Sequence, residues 1–187
     1  MALAAFVTPL SQPWLTPAPA QAAVSIAYTL DKLVSESTAV VLATSVEQRS
    51  EWAELGGSRR IVTFTKLNVS ESVFGGATEG IWVRTLGGVV GRIGQQVSGE
   101  ATLSLDEKAV IFLTHAIDGA WVVTGMGQGH YPVRRVADVR APLVERLSAS
   151  PQVGTLVARR AGEPLAHARL VGRPVSEALS AIRSVKR

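Results

Sequence analysis

The chain has 187 residues, of which 47% are apolar and 18% charged, a composition typical of a globular protein. It contains no cysteine, which excludes disulfide bonds, thiolate nucleophiles, cysteine-ligated zinc and iron–sulfur clusters. No apolar run reaches the roughly 18 residues that span a bilayer, so the sequence predicts no transmembrane segment.

The formal net charge of +4 is unevenly distributed along the chain. Residues 23–133 carry 8 basic and 11 acidic side chains, a net charge of −3, whereas residues 134–187 carry 11 basic and 4 acidic ones, a net charge of +7. Such a basic region is attracted to anionic surfaces. Because its bases are scattered without interleaved aromatic residues, we expect a solvated surface and no specific nucleic-acid partner.

The first 22 residues have the order of a signal peptide. Residues 1–11 are almost wholly apolar, proline-rich residues follow, and Ala20-Gln21-Ala22 is the A-x-A site that a signal peptidase cleaves. A basic n-region is missing, since no Lys or Arg precedes Lys32, and the alternative is a disordered tail of a cytosolic protein. We expect residues 1–22 to be removed and the mature protein to be exported, to the periplasm or to the outside of the cell.

A short helix and two strands are predicted after this segment, with a loop or a hairpin turn over residues 49–59 between the strands. Residues 28–37 place apolar side chains at helical spacing, and residues 38–46 are apolar on both faces, as in a buried strand. Residues 60–73 predict a long strand whose apolar phase slips by one residue, which indicates a β-bulge near Thr65 and Lys66. Long bulged strands are typical of small barrels.

Further strands follow at hairpin spacing. The alternation in residues 95–105 predicts a half-exposed strand, and Asp118-Gly119 predicts a hairpin turn. Additional strands are predicted at residues 80–86, 108–114, 120–126 and 127–133. The whole pattern predicts a mainly β fold, an antiparallel OB-like barrel or sandwich of six to seven strands with a short N-terminal helix and a C-terminal helix.

The pattern changes after the predicted β domain, residues 23–136. Residues 137–173 show no sustained period, which predicts a linker or a loosely packed segment. Residues 174–187 predict an amphipathic helix, because Pro174 suits the first helical position and an apolar stripe follows at helical spacing.

Three segments carry a resemblance to known proteins: Val40-Val41-Leu42, Val83 to Gly88, and Asp106-Glu107 before Val110 to Leu113. In this order the chain resembles a group of uncharacterised exported bacterial β-barrel proteins. The order of elements also resembles the OB-like barrel of the netrin and metalloprotease-inhibitor modules. The inhibitors act through an N-terminal cysteine and disulfides, so the resemblance implies their fold without their mechanism.

The histidines, His115, His130 and His167, are the first candidates for chemistry. None has a second histidine or a carboxylate at metal-ligand spacing on a helix, so we expect no metal and no other cofactor. His130 lies in a glycine-rich stretch beside Tyr131, where a ligand could approach the backbone. The interpretation of His130 as a turn residue is the one favoured.

Two further weak candidates for ligand binding lie in or near the glycine-rich segment 86–94. This segment lacks the ending of a phosphate-binding P-loop, so a bend is favoured, and Arg84 and Arg92 are the residues that would contact a ligand there.

Trp82 and Trp121 alternate with valines and predict one aromatic sheet face, which would bind ligands if exposed. That the terminal helix covers these rings is the favoured alternative.

No catalytic constellation accompanies the barrel pattern, so the leading hypothesis is an exported, non-enzymatic binding or accessory module with a protein or polysaccharide partner. One alternative is a small secreted hydrolase or processing factor that uses His130 and a carboxylate brought near it by folding. Another is an envelope-associated structural protein held by its basic C-terminal segment.

Overall fold

The computed structural model describes residues 24–77, 80–137, 143–153, 155–158 and 162–186, so the predicted signal peptide lies outside the described residues. The strands are β1 (Val24–Ile26), β2 (Ala39–Leu55), β3 (Ser58–Phe74), β4 (Ile81–Leu86), β5 (Gly88–Val90), β6 (Ile93–Gln95), β7 (Lys108–His115), β8 (Trp121–Val123), β9 (His130–Val136), β10 (Val144–Leu147) and β11 (Thr155–Val157). The helices are α1 (Leu30–Ser35), α2 (Ala166–Leu170) and α3 (Val175–Lys186), with a 3-10 turn at Met126–Gly129. No described helix is long and apolar enough to cross a membrane.

The large sheet has seven strands in the order β10-β9-β7-β2-β3-β4-β8, and β8 also pairs with β7. The mainly β prediction is confirmed. The sheet is mixed, however, because β4 and β8 run parallel, so the prediction of a purely antiparallel sheet is wrong. Two small sheets complete the fold: β5 pairs with β6 as a hairpin, and β1 pairs with β11 in parallel.

The hairpin of β2 and β3 has a register shift at the expected level, beside Lys66, but the extra residue lies in the other strand. Ser45 faces Leu67 and Glu47 faces Lys66, so the extra residue at this level is Val46 in β2, and not a residue of β3 near Thr65. The buried positions of β3 stay in phase through this region. Two more register shifts lie nearer the start of β2. The bulges bend the hairpin around the interior of the body.

Two hydrophobic clusters lie on the two faces of β2 and β7, which are buried on both sides over residues 39–43 and 109–113, as predicted. The helix-side cluster lies between the sheet and the helices, and the inner cluster lies on the other face. The helix-side cluster contains Leu30, Leu33, Val34, Val40, Leu42, Val73, Val110, Phe112, Tyr131, Leu147, Ala166, Leu170, Ala178, Leu179 and Ile182. The inner cluster contains Ala39, Val41, Ala43, Leu67, Ala77, Val83, Ala101, Leu103, Ala109, Ile111, Leu113 and Val123.

Both predicted helices form, and they pack together. Thr29 caps α1, since its Oγ1 accepts a hydrogen bond from the backbone N–H of Lys32 at 3.1 Å. The apolar stripe of α3 packs in the helix-side cluster, where the helix contacts α1, β3 and β10. The alternative that the terminal helix covers Trp82 and Trp121 is therefore wrong, because α3 packs chiefly on α1, β3 and β10, whereas the two rings lie on β4 and β8.

The segment 137–173, predicted to be a linker or a loosely packed segment, contains two strands and a helix among its described residues. Its strand β10 pairs with β9, and β11 pairs with β1 at the start of the described chain. Leu147, Ala166 and Leu170 are buried in the helix-side cluster. Short elements that each bury one or two side chains leave no sustained period, so the sequence pattern alone did not show them.

The strand predicted for residues 95–105 forms only at its first residue, where β6 ends. The predicted alternation is present over residues 101–104, since Ala101 and Leu103 are buried while Thr102 and Ser104 are exposed, but Leu105, expected on the buried face, is exposed. Two side chains in the inner cluster thus hold the segment against the body, although the described residues 96–105 pair with no strand.

Candidate functional site

Trp82 and Trp121 lie on opposite faces of the sheet. Neighbouring residues of a strand point to opposite faces, and Trp121 is the register partner of Val83, the neighbour of Trp82. Trp121 stacks on His115 with ring centroids 3.7 Å apart. On the other face, the Arg49 guanidinium lies 5.1 Å from the Trp82 ring. The prediction of one aromatic face that carries both rings is wrong.

The two candidate arginines have different surroundings. Arg84 donates two hydrogen bonds to the Asp118 carboxylate, at 2.5 and 3.1 Å, and these bonds lower the pKa of Asp118. Arg84 thereby ties β4 to the turn between β7 and β8. Arg92 is exposed at the tip of the hairpin of β5 and β6. Neither arginine lines the cleft described below.

His130 and Tyr131 are buried at the start of β9. The Tyr131 ring packs edge-on against Phe112 in the helix-side cluster, with ring centroids 5.9 Å apart. Burial raises the pKa of Tyr131, so its hydroxyl stays protonated at neutral pH. The positions of both side chains are those of core residues.

His130 lies between a hydroxyl and a carboxylate. Its Nδ1 is 3.3 Å from Ser150 Oγ, and its Nε2 is 3.5 Å from Glu107 Oε2 without forming a hydrogen bond to any described residue. Burial, together with the charge of Arg134, lowers the pKa of His130 to about 4, so the ring is neutral at pH 7. The adjoining cavity measures about 10 Å³, room for roughly one water molecule. A carboxylate therefore lies near His130, but the cavity beside the ring is too small for a substrate.

A polar cleft of about 350 Å³ lies against one face of β2, β3 and β4. Its floor is a row of hydroxyls on neighbouring strands, because Ser50 is the register partner of Thr63 and Thr63 is that of Thr85. Its walls come from the glycine-rich connection after β4 and from the segment that contains Ala101. The other lining residues are Gln48, Leu86, Gly87, Gly88, Val89, Gln95, Gln96, Val97, Glu100, Thr102, Leu103 and Gln152.

Gly87 and Gly88 hold one wall of this cleft close to its floor. Their φ angles are +94° and +129°, a region that favours glycine. Thr63 Oγ1 donates a hydrogen bond to the Gly87 carbonyl oxygen at 2.7 Å, and it lies 2.8 Å from Ser50 Oγ. A Cβ atom at Gly88 would overlap both hydroxyls. These glycines, interpreted from the sequence as a bend, therefore build the cleft.

Two amide side chains in the cleft have fixed orientations. Gln48 Nε2 donates hydrogen bonds to Thr65 Oγ1 at 3.1 Å and to the Leu103 carbonyl oxygen. Gln95 Oε1 accepts a hydrogen bond from the Ile61 backbone N–H at 2.9 Å. Gln48 Oε1 is thus left as an acceptor, and Gln95 Nε2 is left as a donor.

Glu100 is the one ionisable side chain among the described residues that line the cleft. Burial raises the pKa of Glu100, while hydrogen bonds from the backbone N–H groups of Ala101 and Leu86 act in the opposite direction. The bond from Ala101 measures 3.0 Å. Since the described lining residues include no lysine or arginine, this carboxylate gives the cleft a negative potential, which disfavours anionic ligands.

The sequence pattern predicts no role for Gln48, Gln95 or Glu100. Glutamine, serine and threonine are common on protein surfaces, so their types carry no specific signal. The local sequence signal for the cleft was the pair Gln95-Gln96, which lies close to the glycine-rich connection.

Among the described residues, no group of three His, Asp or Glu side chains is placed to hold a metal ion. Comparison with known protein families, with curated proteins and with solved structures finds no match to the chain. The geometry of the cleft is thus the main guide to function.

Proposed function

We propose that the chain is an exported, non-enzymatic binding module that holds its ligand in the polar cleft. The observation that carries this proposal is the cleft, whose volume of about 350 Å³ lies within the range of roughly 300–1,000 Å³ typical of ligand sites. Two of its amides, Gln48 and Gln95, are held in fixed orientations by hydrogen bonds, as a preorganised site requires. The described lining residues include no histidine or lysine that could activate a hydroxyl.

The proposed scaffold is a closed, OB-like barrel. Its support is a ring of strand pairings: β2 pairs with β3, β3 with β4, β4 with β8, β8 with β7, and β7 with β2. The inner cluster takes its residues chiefly from these five strands. The ring also supports the resemblance to the netrin and inhibitor modules as a proposal about the fold.

The hydrolase alternative has less support than the binding module. His130 has a carboxylate at 3.5 Å, but its side chain is only 1% exposed and its cavity holds about one water molecule. The neutral ring could accept a proton, yet no substrate-sized space adjoins it.

The alternative of an envelope protein held by basic residues is weakened by internal ion pairs. Arginines of the basic region are paired with carboxylates of the acidic region, so part of the charge on each region offsets that on the other. The pairs are Arg134 with Glu107 at 2.8 Å, Arg169 with Asp31 at 3.8 Å, and Arg183 with Glu71.

The binding proposal can be tested by NMR with a mixed set of small sugars, amino acids and short peptides. We expect any ligand to shift backbone amide signals of residues 95–103. Thr102→Trp should abolish these shifts, because Thr102 is exposed and lines the cleft, whereas Ser104→Trp should preserve them, because Ser104 is exposed on the same segment outside it. Ligand shifts confined to other surfaces, or none at all, would reject the cleft as the binding site.

The proposed export has its own test. After expression with cell fractionation, the mature protein outside the cytoplasm should begin at Ala23, directly after the A-x-A site. An intact cytoplasmic protein that retains residues 1–22 would show that the chain is not exported.

A further inference from the structure

The charge of the cleft limits the class of ligand it can bind. Glu100 is acidic, and no lysine or arginine lines the cleft in the described part of the chain. A phosphate, a nucleic acid or an acidic polysaccharide would therefore meet a carboxylate without any compensating cation. The class that remains is neutral or cationic.

The hydrogen-bonding groups of the cleft favour a ligand rich in hydroxyls. Gln95 offers a donor, Gln48 offers an acceptor, and an ionised Glu100 offers only acceptors. The side chains of Gln96 and Gln152 form no hydrogen bond with the described residues, so they are free to orient toward a ligand. Since a hydroxyl both donates and accepts, a ligand with several hydroxyls can satisfy this mixed set.

The floor of the cleft does not suit a peptide bound by strand addition. That mode needs the free backbone edge of a strand, whereas Ser50, Thr63 and Thr85 present side chains on a sheet face. Leu86 and Val97 add apolar surface beside this row, which suits the C–H face of a sugar ring.

We infer that the ligand of the cleft is a neutral saccharide, with Glu100 as the specificity-determining residue that accepts hydrogen bonds from its hydroxyls. This inference rests on the proposed function, since it names the ligand class of the same site. The backbone N–H of Ala101, at 3.0 Å, holds the carboxylate in place, so its remaining lone pairs are directed without a further ordering cost.

The experiment uses the folded chain and three kinds of trisaccharide: neutral ones such as maltotriose, cellotriose and N-acetylchitotriose, the cationic trimer of glucosamine, and the anionic trimer of galacturonic acid. Binding is measured by calorimetry at low salt and at about 1 M sodium chloride, where screening is nearly complete. We expect at least one neutral trisaccharide to bind with little dependence on salt, and the anionic trimer not to bind.

Glu100→Gln is the decisive variant, because it keeps the shape of the side chain and removes its charge. It should weaken neutral-sugar binding roughly ten- to hundred-fold, as expected for a lost charged hydrogen bond. The matched control, Glu51→Gln, changes an exposed glutamate next to Ser50 on the opposite face and should leave affinity unchanged. Melting temperatures show whether each variant is folded, and Thr102→Trp gives an independent block of the cleft.

Each other outcome overturns the inference in a distinct way. Tighter, salt-sensitive binding of the glucosamine trimer would make the ligand a cation, and binding of the galacturonic acid trimer would refute the charge argument. Neutral binding unaffected by Glu100→Gln would remove the role of Glu100. If peptides but no sugars shift the cleft amides, the ligand class is wrong while the proposed function stands, and if nothing binds the cleft, both fall.

Discussion

The helix-side cluster and the inner cluster bury the two faces of the same strands, but they use the chain differently. The inner cluster takes its residues from 39–123, and five of its twelve members are alanines. The helix-side cluster draws on residues from Leu30 to Ile182 and contains larger side chains such as Phe112. The inner cluster is thus built by neighbouring strands with little room between them, and the helix-side cluster by parts of the chain that are distant in sequence.

This difference shows where stability depends on the C-terminal region. Seven members of the helix-side cluster come after residue 130, whereas none of the inner cluster does. The cleft lies on the side of the inner cluster, since Ala101 and Leu103 belong to both. Loss of the C-terminal elements should therefore weaken the body without changing the residues that line most of the cleft.

Removal of residues 174–187 should have the largest effect. It takes away Leu179 and Ile182, whose burial contributes about 1.5–3 kcal/mol each, and exposes α1 to water. Because a domain is stable by only about 5–15 kcal/mol, we expect the truncated chain to be largely unfolded in thermal and urea melts. An unchanged melting temperature would show that the helix-side cluster is stable without α3.

Phe112→Ala and Leu113→Ala compare the clusters at neighbouring positions of β7. Phe112 packs in the helix-side cluster and Leu113 in the inner one, so we expect losses of about 3–5 and 2–5 kcal/mol. Hydrogen exchange should show lost protection in α3 for the first variant and at Val123 for the second. Identical exchange patterns would mean that the two clusters form one cooperative unit.

Leu179→Ala tests the docking of α3 with a single side chain. We expect a loss of roughly 2–4 kcal/mol, because Leu179 is buried against α1. Ser180→Ala is the control, since Ser180 is exposed and its hydroxyl donates a hydrogen bond to the Ser176 carbonyl oxygen of the same helix. Equal melting temperatures for the two variants would contradict the buried position of Leu179.

His130 should make stability depend on pH. Burial lowers its pKa from 6.5 to about 4, so between these values the unfolded chain binds the proton and the folded chain does not. Stability should therefore fall by up to about 3 kcal/mol as pH decreases from 6.5 to 4. His130→Gln should remove most of this slope, and His115→Gln, at an exposed histidine, should keep it.

Arg183→Gln should have the smallest effect. It breaks the ion pair with Glu71, which joins α3 to β3 at partly exposed positions. Such pairs contribute about 0.2–1 kcal/mol, so the expected loss lies well below that of Leu179→Ala. A loss equal to that of Leu179→Ala would mean that charge, and not apolar burial, holds the helix.

The sequence predicted the elements whose burial pattern repeats several times. The first part of β2, residues 39–43, and β7 are apolar on both faces, and α3 has a stripe that recurs through the whole helix, so their types followed from periodicity. Residues 49–55 extend β2, although their polar sequence predicts a loop or a turn. The parallel pair of β4 and β8 could not be predicted, because it joins only two residues of each strand. β10, β11 and α2 are too short to show a period.

The cleft could not be predicted for a related reason. Its residues come from five parts of the chain, and only the register that places Ser50, Thr63 and Thr85 in one row brings them together. The glycine-rich connection was noticed, but the atoms that require its glycines are the hydroxyls of Ser50 and Thr63. The sheet face on which Trp82 and Trp121 each lie likewise depends on the pairing of β4 with β8, which no local sequence pattern shows.

The contact between α1 and α3 has a consequence for the order of events during synthesis. The helix-side face of β2 and β7 is covered only after α1, which is synthesised early, packs against α3, which is synthesised much later. Until then the nascent chain exposes this apolar surface at the ribosome. Folding that depends on contacts between residues distant in sequence is slow. Folding of this protein is therefore completed after synthesis of α3, and a chain stalled before that helix is the species most exposed to aggregation.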